Sequence, residues 1–599
     1  MCSILGYNNF QNTELVKIFF DTQRHRGPEF ENYHICDSWI LGHQRLSIID
    51  TSSSANQPMY KDGHTIILNG EIYNYIELQN TYLKNVTLNT SSDTEVLLEL
   101  LKIYGIKILN KLNGMFAFGW YNHNEKCLYL CRDRFGVKPL HWMKHNGYYY
   151  FSSEIKPLIA IKKNISFNAK IIDAFFYDTA TDFDNQTFID GINQIKQGHF
   201  AKIDAEMQMT EEKWYLGNDF NIESDIFKNY KQTVDIFEDL LTDAIKIRHR
   251  ADVPICITLS GGLDSTTIYT LTKEHLNSNI QPFTFTHPGS KTDESELAKK
   301  LTDSYHDSLI KVTNEIDENI EGLREILHYL EFPIWNNSAS AYFEMYKAIK
   351  FNGFTVVLEG HGSDEQLGGY PYMIEAAIEQ ELYYCNFLKA YQLHKIANNT
   401  HNPALNQKGK EYKSFCDFIK INAFPKLKHH LGNKIYNRKE IIPKNYFQNV
   451  IEDSFDYKII PIVLRAFDRL SMAHAVESRC PFMDYRIVEF LRKLPMIYKV
   501  NKIGSKAILR EILKKYNKDF IYKKTQKMGF ASDIPKFYNN IENKKYLAGL
   551  INRFNDNKYE YYKSNASRNI LKAHIDWTDI GDIWKIASLQ FTKEMYGIK

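Results

Sequence analysis

The sequence predicts two domains of different class: an α+β domain with much antiparallel sheet, then an α/β domain with a doubly wound parallel sheet and a largely helical C-terminal part. A chain of 599 residues is too long for one hydrophobic core, so two domains or more are expected. In the first 205 residues, several short runs alternate apolar and polar positions, which is typical of half-buried antiparallel strands. After residue 233, strand and helix patterns alternate, which indicates a parallel sheet.

The first domain, residues 1–205, shows short strand patterns around one long helical pattern. The helix is predicted at 93–112, with Ser92 or Asp93 as its N-cap and Glu95 in its first turn. The strands are predicted at 38–49, 65–74, 115–122, 127–133 and 148–153.

A polar stretch at 206–232 has no convincing period and is predicted to be a linker. The second domain, residues 233–599, begins with a predicted helix at 234–250. Beyond residue 370 its pattern is mostly helical. Its strands are predicted at 254–259, 282–287, 308–312 and 355–360.

Composition and charge exclude several classes of protein. Lys and Arg number 74 against 72 Asp and Glu, so the net charge of +2 gives no basic surface for nucleic acid. No apolar run reaches the length of a membrane span, and the first residues lack the pattern of a signal peptide. The eight cysteines are dispersed without zinc-type spacing, which fits a reducing compartment. We therefore expect a cytoplasmic protein that binds neither nucleic acid nor a membrane.

Cys2 directly follows the initiator methionine. Removal of Met1 would leave one residue with both a thiol nucleophile and a free α-amino group, which titrates near pH ~8 and serves as a base. Taken alone, Cys2 is better explained as a small buried hydrophobic residue, and the motifs that follow reverse this interpretation.

A Gly-rich motif joins the apolar strand at 254–259 to the helix that follows it. Glycines allow close approach of the backbone to a ligand, and N–H groups at a helix N-terminus bind phosphate oxygens. The serines add hydroxyl donors, and the aspartate suits a divalent cation beside pyrophosphate. The loop is not a Walker A motif, because the lysine of that motif is missing. The candidate ATP-binding residues are Ser260, Gly261, Gly262, Leu263, Asp264 and Ser265.

This motif resembles the pyrophosphatase loop of ATP-pyrophosphate-cleaving enzymes. Together with Cys2 it resembles the glutamine-dependent asparagine synthetases, which join a class II glutamine amidotransferase to a synthetase domain of the ATP-pyrophosphatase type. The similarity covers nearly the whole chain, with the motifs in the family's order. The resemblance implies an N-terminal-nucleophile (αββα) glutaminase fold for the first domain.

In the first half the matching motifs are RHRGP at 24–28, RLSIID at 45–50, NGEIYN at 69–74 and SDTE at 92–95. Glutamine hydrolysis by Cys2 builds an oxyanion, for which the Asn69 amide and the Gly70 N–H are suitable donors. Arg45 would bind the substrate carboxylate through its guanidinium. Glu71 and Asp93 would bind the α-ammonium group, and Asn69 also counts among the glutamine-binding residues.

In the second half, GSDEQLGGY at 362–370 resembles the family's acidic loop, in which Asp364 would share Mg²⁺ with Asp264. The motifs at 468–473 and 477–484 resemble the helical segment that lines the acceptor site. By the same resemblance, Lys506 would neutralise charge on the α-phosphate, and Phe285 is a further candidate ATP-binding residue.

One position departs from the family pattern. Family members read Gly-Glu-Gly before the acidic loop, whereas this chain reads Gly360-His361-Gly362. An imidazole also takes a proton from attacking ammonia, so the reaction class is retained and His361 is a candidate catalytic residue. The alternative is that His361 packs or hydrogen-bonds without reacting. The change alters the charge presented to the acceptor.

The resemblance implies a ligase that makes ammonia from glutamine and uses ATP and Mg²⁺ to amidate a carboxylate through an acyl-adenylate. The leading acceptor is aspartate, and the alternative is another carboxylate, such as a uronic-acid sugar. Two other classes stay open: a glutamine sensor without synthesis and a cysteine protease using Cys2. An enclosed ammonia passage is expected, with apolar residues near Met115 as candidates. Family members often form homodimers, although no interface is readable in the sequence.

Overall fold

The computed structural model describes residues 2–178, 181–182, 184–221, 223–288, 293–313, 320–333, 339–400, 415–419, 445–524, 537–538, 540–573, 575 and 579–598. Across these ranges, no helix is both long enough and apolar enough to cross a membrane.

The first domain contains two antiparallel six-stranded sheets. Its strands are β1 Ser3–Tyr7, β2 Phe30–Cys36, β3 Trp39–Arg45, β4 Met59–Lys61, β5 His64–Ile72, β6 Gly114–Asn122, β7 Cys127–Arg132, β8 His141–His145, β9 Tyr148–Ser152, β10 Asn193–Gln194, β11 His199–Ile203 and β12 Met209–Lys213. The strand orders are β10-β8-β9-β1-β3-β2 and β12-β11-β7-β6-β5-β4.

The two sheets pack face to face, and helices cover both outer faces. Successive side chains of a strand point to opposite faces. Ile4 of β1 accordingly lies between the sheets in one cluster with Ile67, whereas Leu5 packs with the helix Leu15–Gln23. The helix Asp93–Tyr104 covers the second sheet. This αββα layering confirms the N-terminal-nucleophile fold. The helices are Leu15–Gln23, Tyr75–Tyr82, Asp93–Tyr104, Lys156–Lys162 and Ala169–Tyr177.

The long helix of this domain starts where the sequence predicted and ends earlier. The Ser92 hydroxyl accepts the N–H of Glu95 at 3.2 Å, as an N-cap does. Gly105 has φ +59°, so the α-helix ends at Tyr104 and a 3₁₀ turn, Gly105–Lys111, completes the predicted span.

The second domain is built on a five-stranded parallel sheet. The strands are β13 Ile255–Thr258, β14 Gln281–Phe285, β15 Ile310–Val312, β16 Val356–Leu358 and β17 Glu477–Arg479, in the order β15-β14-β13-β16-β17. Cys256 and Ile257 belong to two different core clusters, one on each face, so helices pack on both sides. The strand order reverses between β13 and β16, and this doubly wound topology places a ligand crevice at their carboxyl ends.

The rest of this domain is largely helical, as predicted. A short hairpin pairs β18 Val500–Asn501 with β19 Gly504–Ser505. The helices are Tyr230–Arg248, Leu263–Leu276, Ser295–Asp303, Ile320–Leu330, Ala339–Phe351, Ser363–Leu367, Pro371–Tyr383, Phe387–Thr400, Phe415–Phe418, Tyr446–Asp453, Ile460–Met472, Tyr485–Lys493, Met496–Lys499, Ala507–Lys515, Asp519–Tyr522, Ile541–Arg553, Glu560–Ile570 and Ile580–Tyr596.

Two stretches differ from the sequence expectations. Within the predicted linker, β12 pairs along its whole length with β11, because an edge strand needs no apolar face. The segment 477–484 was expected to be helical, but its first three residues form the parallel strand β17. Residues 468–472 do lie in the helix Ile460–Met472.

The two domains meet through buried polar and apolar contacts. Arg26 of the first domain donates to the Asp468 carboxylate at 2.8 Å, and both side chains are buried. Met115 and Tyr73 share a buried cluster with Ile247 of the second domain. Met115, the candidate for the ammonia passage, therefore lies at the domain interface.

Candidate active sites

The first candidate site surrounds the thiol of Cys2. This residue is buried immediately before β1, and its Sγ lies 4.0 Å from the carbonyl oxygen of Leu46. Burial raises the pKa of the thiol, and the nearby guanidinium of Arg45 acts in the opposite direction. Among the described residues, Arg45 is thus a positive group that favours the reactive thiolate.

Asn69 and Gly70, at the end of β5, lie beside this thiol. The backbone N–H of Cys2 donates to Asn69 Oδ1 at 3.2 Å. Gly70 has φ +129°, and a Cβ there would lie 2.0 Å from the carbonyl oxygen of Met115. Only glycine fits that position. The close pairing of β5 with β6 thus fixes the two residues predicted to bind the oxyanion.

Glu71 and Asp93 are neighbouring buried carboxyl groups, and Glu71 lies near Cys2. Burial and the neighbouring Glu477 and Asp93 raise the pKa of Glu71 well above its usual range. Burial raises the pKa of Asp93 to about 6, although the N–H of Ile72 donates to it at 2.8 Å. Among the described residues, Glu71 Oε2 is buried and accepts no hydrogen bond. A buried oxygen of this kind suits a cationic ligand group.

Arg45, at the end of β3, is largely engaged by its own loop. Its Nη1 donates to the carbonyl oxygen of Ser52 and to Asn56 Oδ1, both at 2.7 Å, and its Nη2 donates to the carbonyl oxygen of Asp50. These bonds hold the guanidinium rigidly. Ser3 of β1 pairs with Gln44 of β3, so the next residues, Cys2 and Arg45, are neighbours.

The second candidate site lies at the carboxyl end of β13. The loop after this strand is closed by its own serines: the Ser260 N–H donates to Ser265 Oγ at 3.1 Å, and the Gly262 N–H donates to Ser260 Oγ at 3.3 Å. Gly261 has φ +73°. Leu263, Asp264 and Ser265 form the first turn of the helix Leu263–Leu276, whose N-terminus favours an anion.

The acidic loop after β16 packs directly against this turn. Ser363 Oγ donates to Asp264 Oδ1 at 2.7 Å. The buried ammonium of Lys506 lies 2.5 Å from Asp264 Oδ2 and 2.7 Å from Asp364 Oδ1. The structure thus brings together three residues predicted from separate motifs. The two carboxylates and the lysine can bind a metal–triphosphate group of mixed charge.

Asp264 and Asp364 also fit a divalent cation. Lys506 Nζ already occupies a cation position between them, and carboxylate oxygens are the ligands that Mg²⁺ prefers. In the described part of the chain, no group of three or more His, Cys, Asp or Glu side chains is arranged to hold a metal by itself. The phosphates of the nucleotide would have to supply the other ligands.

His361 and Glu359 lie between the two loops. The His361 ring packs on Phe467 with 3.6 Å between ring centroids, and its Nε2 is 3.6 Å from Glu359 Oε1. Glu359 is buried and accepts from the hydroxyls of Tyr346, at 2.7 Å, and Ser478. The family pattern has a glutamate at the position of His361. In this chain the carboxylate of Glu359 lies beside the histidine instead.

Phe285 is buried at the end of β14, next to β13 in the sheet. It lies at the same edge as the pyrophosphatase loop, and its ring packs against His287 at 4.7 Å. Its predicted contact with the nucleotide stays a prediction.

Sequence reasoning assigned no role to Glu359, and it placed Glu477 and Arg479 in a segment lining the acceptor site rather than beside Glu71. A charged residue that ends the apolar run 355–358 is the signal that points to Glu359. Glu477 and Arg479 influence the pKa of Glu71 across the domain interface. No local sequence pattern predicts this contact between the domains.

Known proteins show the same pairing of domains. The family model described as "Glutamine amidotransferase domain" matches residues 1–215, and that described as "Asparagine synthase" matches residues 237–593. Asparagine synthetase [glutamine-hydrolyzing] 1 of Bacillus subtilis is 27% identical, over 91% of this chain and 89% of its own. Amidase chry2 of Gibberella zeae is 26% identical, over 88% and 86%. Putative asparagine synthetase 2 of Methanocaldococcus jannaschii is 32% identical, over 62% and 76%.

The αββα domain that begins at Cys2 and the parallel-sheet domain with its pyrophosphatase loop define a glutamine-hydrolysing carbon–nitrogen ligase. The chain belongs to the asparagine synthase family, as its motifs predicted. Enzymes of this family use ATP.

Proposed function

We propose that the protein transfers nitrogen from glutamine to a carboxylate, most directly aspartate, with cleavage of ATP to AMP and pyrophosphate. The observation that carries the proposal is the meeting of Asp264, Asp364 and Lys506, from three separate segments, at the crevice where the strand order reverses. Such a charged cluster at a helix N-terminus is suited to binding a nucleoside triphosphate.

In the first half-reaction Cys2, freed from Met1, attacks the glutamine amide. Its sulfur forms a bond to the amide carbon, and the Asn69 amide and the Gly70 N–H bind the oxyanion that develops. Ammonia leaves, and water hydrolyses the γ-glutamyl thioester. The unpartnered oxygen of Glu71, with Asp93, binds the α-ammonium group of glutamine, and Arg45 binds the α-carboxylate.

In the second half-reaction the acceptor carboxylate attacks the α-phosphorus of ATP. Residues 260–265 bind the departing pyrophosphate through backbone N–H groups and serine hydroxyls, Phe285 contacts the nucleotide, and Lys506 neutralises negative charge. Asp264 and Asp364 would hold Mg²⁺ with the phosphates, where the ion neutralises their charge. Ammonia from the first site then displaces AMP from the acyl-adenylate, with His361 as the base. Met115, at the domain interface, is a candidate for lining its path.

The acceptor is assigned by similarity, with one observation favouring an alternative. Relatives named asparagine synthetase match most of the chain, which supports aspartate. An amidase is comparably similar, and His361 beside Glu359 presents a different charge pattern from the family's single glutamate. The second candidate is therefore a carboxylate other than aspartate, such as a uronic-acid sugar.

An assay of the purified chain with glutamine, ATP and Mg²⁺ separates these acceptors. With L-aspartate we expect asparagine and pyrophosphate in equal amounts; D-glucuronate tests the second candidate. Pyrophosphate without asparagine, or neither product, would reject aspartate. In Cys2→Ala, free ammonia should still support synthesis while glutamine should not. Cys36→Ala, which removes another buried thiol, should use both nitrogen sources.

Two further proposals concern the setting of the enzyme. We propose a cytoplasmic location, which the eight free cysteines support. We also propose a homodimer, which rests on similarity to the family alone; the mass in solution tests it.

A further inference from the structure

We infer that Glu359 is a positioning residue for the synthetase reaction, which holds His361 as a carboxylate–imidazole pair beside the acyl-adenylate. The inference rests on the proposed function, in which His361 takes a proton from ammonia. It adds a second residue to that step and explains why the family carboxylate can be replaced by histidine.

The carboxylate of Glu359 is fixed from several directions. It stands at the carboxyl end of β16, with 1% of its surface exposed. Its Oε2 accepts from the hydroxyls of Tyr346 and Ser478, and its Oε1 accepts from Thr258 Oγ1 at 3.3 Å. These hydroxyls come from a helix and from the strands β17 and β13 on either side. Three donors from three elements leave the carboxylate little freedom to rotate.

The Glu359 carboxylate pairs with no lysine or arginine in the described residues; its one ion-pair partner there is His361. A buried carboxylate without a countercharge is unfavourable. Burial acts to raise the pKa of Glu359, but His361 and the hydroxyls outweigh it and lower that pKa. The carboxylate is therefore ionised, and its negative charge faces the His361 ring.

The His361 ring is packed against neighbouring rings, yet part of the side chain is exposed. Phe467 packs on its face, Tyr342 lies 6.0 Å from it, and 17% of the side chain is exposed. Nε2 lies 3.6 Å from Glu359, and a shift of roughly 0.6 Å would give a hydrogen bond of ordinary length. With Nε2–H directed at Glu359, Nδ1 is the nitrogen left to accept a proton.

The glycines on either side place His361 at the nucleotide site. A Cβ on Gly360 would lie 2.8 Å from the Cβ of Asp264, so the backbone at 360 touches the pyrophosphatase loop. A Cβ on Gly362 would lie 2.6 Å from Met483 Sδ. Ser363 then bonds Asp264. The residues on either side of His361 thus pack against the phosphate-binding turn and against residues 481–483, which fixes the position of the imidazole.

The proton and electron balance of the step is complete. The nitrogen lone pair of ammonia forms the bond to the acyl carbon, and the carbonyl π electrons move to oxygen. His361 Nδ1 takes one proton from the nitrogen, and Glu359 stabilises the imidazolium without accepting that proton. The oxyanion re-forms the carbonyl, the acyl C–O bond to phosphate breaks, and AMP leaves with the electron pair. Water later removes the proton from His361.

The test is Glu359→Gln in the full-length chain, with ammonia as nitrogen source and L-aspartate, or D-glucuronate, as acceptor. We expect kcat for amide formation to fall about 10- to 100-fold, as for other carboxylates that support a histidine. ATP–pyrophosphate exchange, which reports adenylation, and glutaminase activity should stay within about twofold. Tyr346→Phe removes one donor and keeps the carboxylate, so its effect should be smaller.

A pH profile distinguishes positioning from a structural role. If Glu359 acts on the reacting base, the pH profile of amide formation should change in Glu359→Gln while the pH profile of ATP–pyrophosphate exchange stays as in the wild type. The other titratable groups around the pair include Tyr342, Tyr346, Cys256, Cys480, Asp364 and Glu365, and Glu359→Gln leaves each in place.

The outcomes separate this inference from the proposed function. An unchanged rate and profile in Glu359→Gln, with His361→Asn inactive in amide formation, would overturn the inference alone. Equal loss of exchange and amide formation would also overturn it, because Glu359 would then serve acceptor binding or folding. Full activity of His361→Asn, or no exchange in the wild type with either acceptor, would overturn the proposed function and this inference together.

Discussion

At the residue scale, the proposed glutamine site contains two buried carboxyl groups, Glu71 and Asp93, which would have to be charged to bind an ammonium ion. Burial raises the pKa of Asp93 to about 6 and that of Glu71 well above its usual range. In the free enzyme these groups therefore hold protons at a pH where exposed carboxyls have lost them. A bound α-ammonium group reverses this, because it favours the ionised forms.

Affinity for glutamine should consequently fall as the pH falls through about 6. With a pKa of about 6, roughly a tenth of Asp93 is ionised at pH 5, so binding should weaken about tenfold between pH 7 and 5. Calorimetry on Cys2→Ala measures binding without hydrolysis, and proton release on binding should peak below pH 6, between the pKa values of Asp93 in the free and bound enzyme.

Asp93→Asn should bind glutamine weakly at every pH. Its affinity should also lose most of the pH dependence that titration of Asp93 causes. Asp62→Asn, at an exposed position, is the control and should match the parent. Equal affinity at pH 5 and pH 8 would show that these carboxyls do not contact the ammonium group.

Residues that act through a recognisable motif were predictable from the sequence, and those that act through a tertiary contact were not. Asp264, Asp364 and Lys506 lie in three motifs of known order, so their meeting could be expected. Glu359 stands only two residues before His361, but its role depends on hydroxyls from β13, β17 and the helix Ala339–Phe351. No local spacing reveals that arrangement.

At the element scale, the turn that follows the helix Ser363–Leu367 has no room for a side chain. A Cβ on Gly369 would lie 1.8 Å from Asp364 Oδ1 and 2.7 Å from the Cε of Lys506. Gly369 has no catalytic group. Its lack of a side chain nevertheless determines how closely the acidic loop approaches Lys506.

Gly369→Ala should reduce ATP–pyrophosphate exchange by about 100-fold or more, because a displacement near 1 Å at reacting groups costs on that order. Glutaminase activity should be retained, since Cys2 lies in the other domain. Gly581→Ala is the matched control: a Cβ there has nothing within 4 Å, and alanine favours the helix Ile580–Tyr596. Normal exchange in Gly369→Ala would contradict this account of the loop.

Elements with a local sequence pattern were predictable, whereas an element that depends on tertiary contacts was not. The strands β13 to β16 were predictable because apolar runs alternate with helices. β17 was not, since Glu477, Ser478 and Arg479 are all polar. They are buried because Arg479 bonds Glu477 at 2.6 Å and donates to the carbonyl oxygens of Arg248 and Arg250 at 2.8 Å.

At the scale of the whole molecule, charged groups buried between the domains connect Cys2 with the second domain. Asp468 of the second domain accepts from Arg26 at 2.8 Å and lies 3.5 Å from Lys138 of the first. Arg26 also donates to the carbonyl oxygen of Cys2 at 3.2 Å and to Glu154 at 3.1 Å. One network thus runs from the nucleophile to the helix Ile460–Met472.

Asp468→Asn should weaken this junction, because it leaves Arg26 and Lys138 with less countercharge in a buried place. Removing one partner of such a pair costs about 3 kcal/mol or more. The first thermal transition should fall by several degrees, and less amide should form per glutamine hydrolysed, because ammonia escapes at a loosened interface. Asp303→Asn, which breaks an exposed pair with Lys299, should change stability by less than about 0.5 kcal/mol.

The pH dependence gives a second measure of the same contact. Burial acts to raise the pKa of Asp468, but Arg26 and Lys138 outweigh it and lower the pKa to about 2. A carboxyl with a lowered pKa stabilises the folded state fully above its unfolded pKa of about 3.9, and loses that contribution as the pH falls toward 2. The difference in thermal midpoint between wild type and Asp468→Asn should therefore be constant from pH 8 to 5 and shrink below about pH 4. A difference that grows on acidification, or an unchanged yield of amide per glutamine, would show that the charged contact does not hold the domains together.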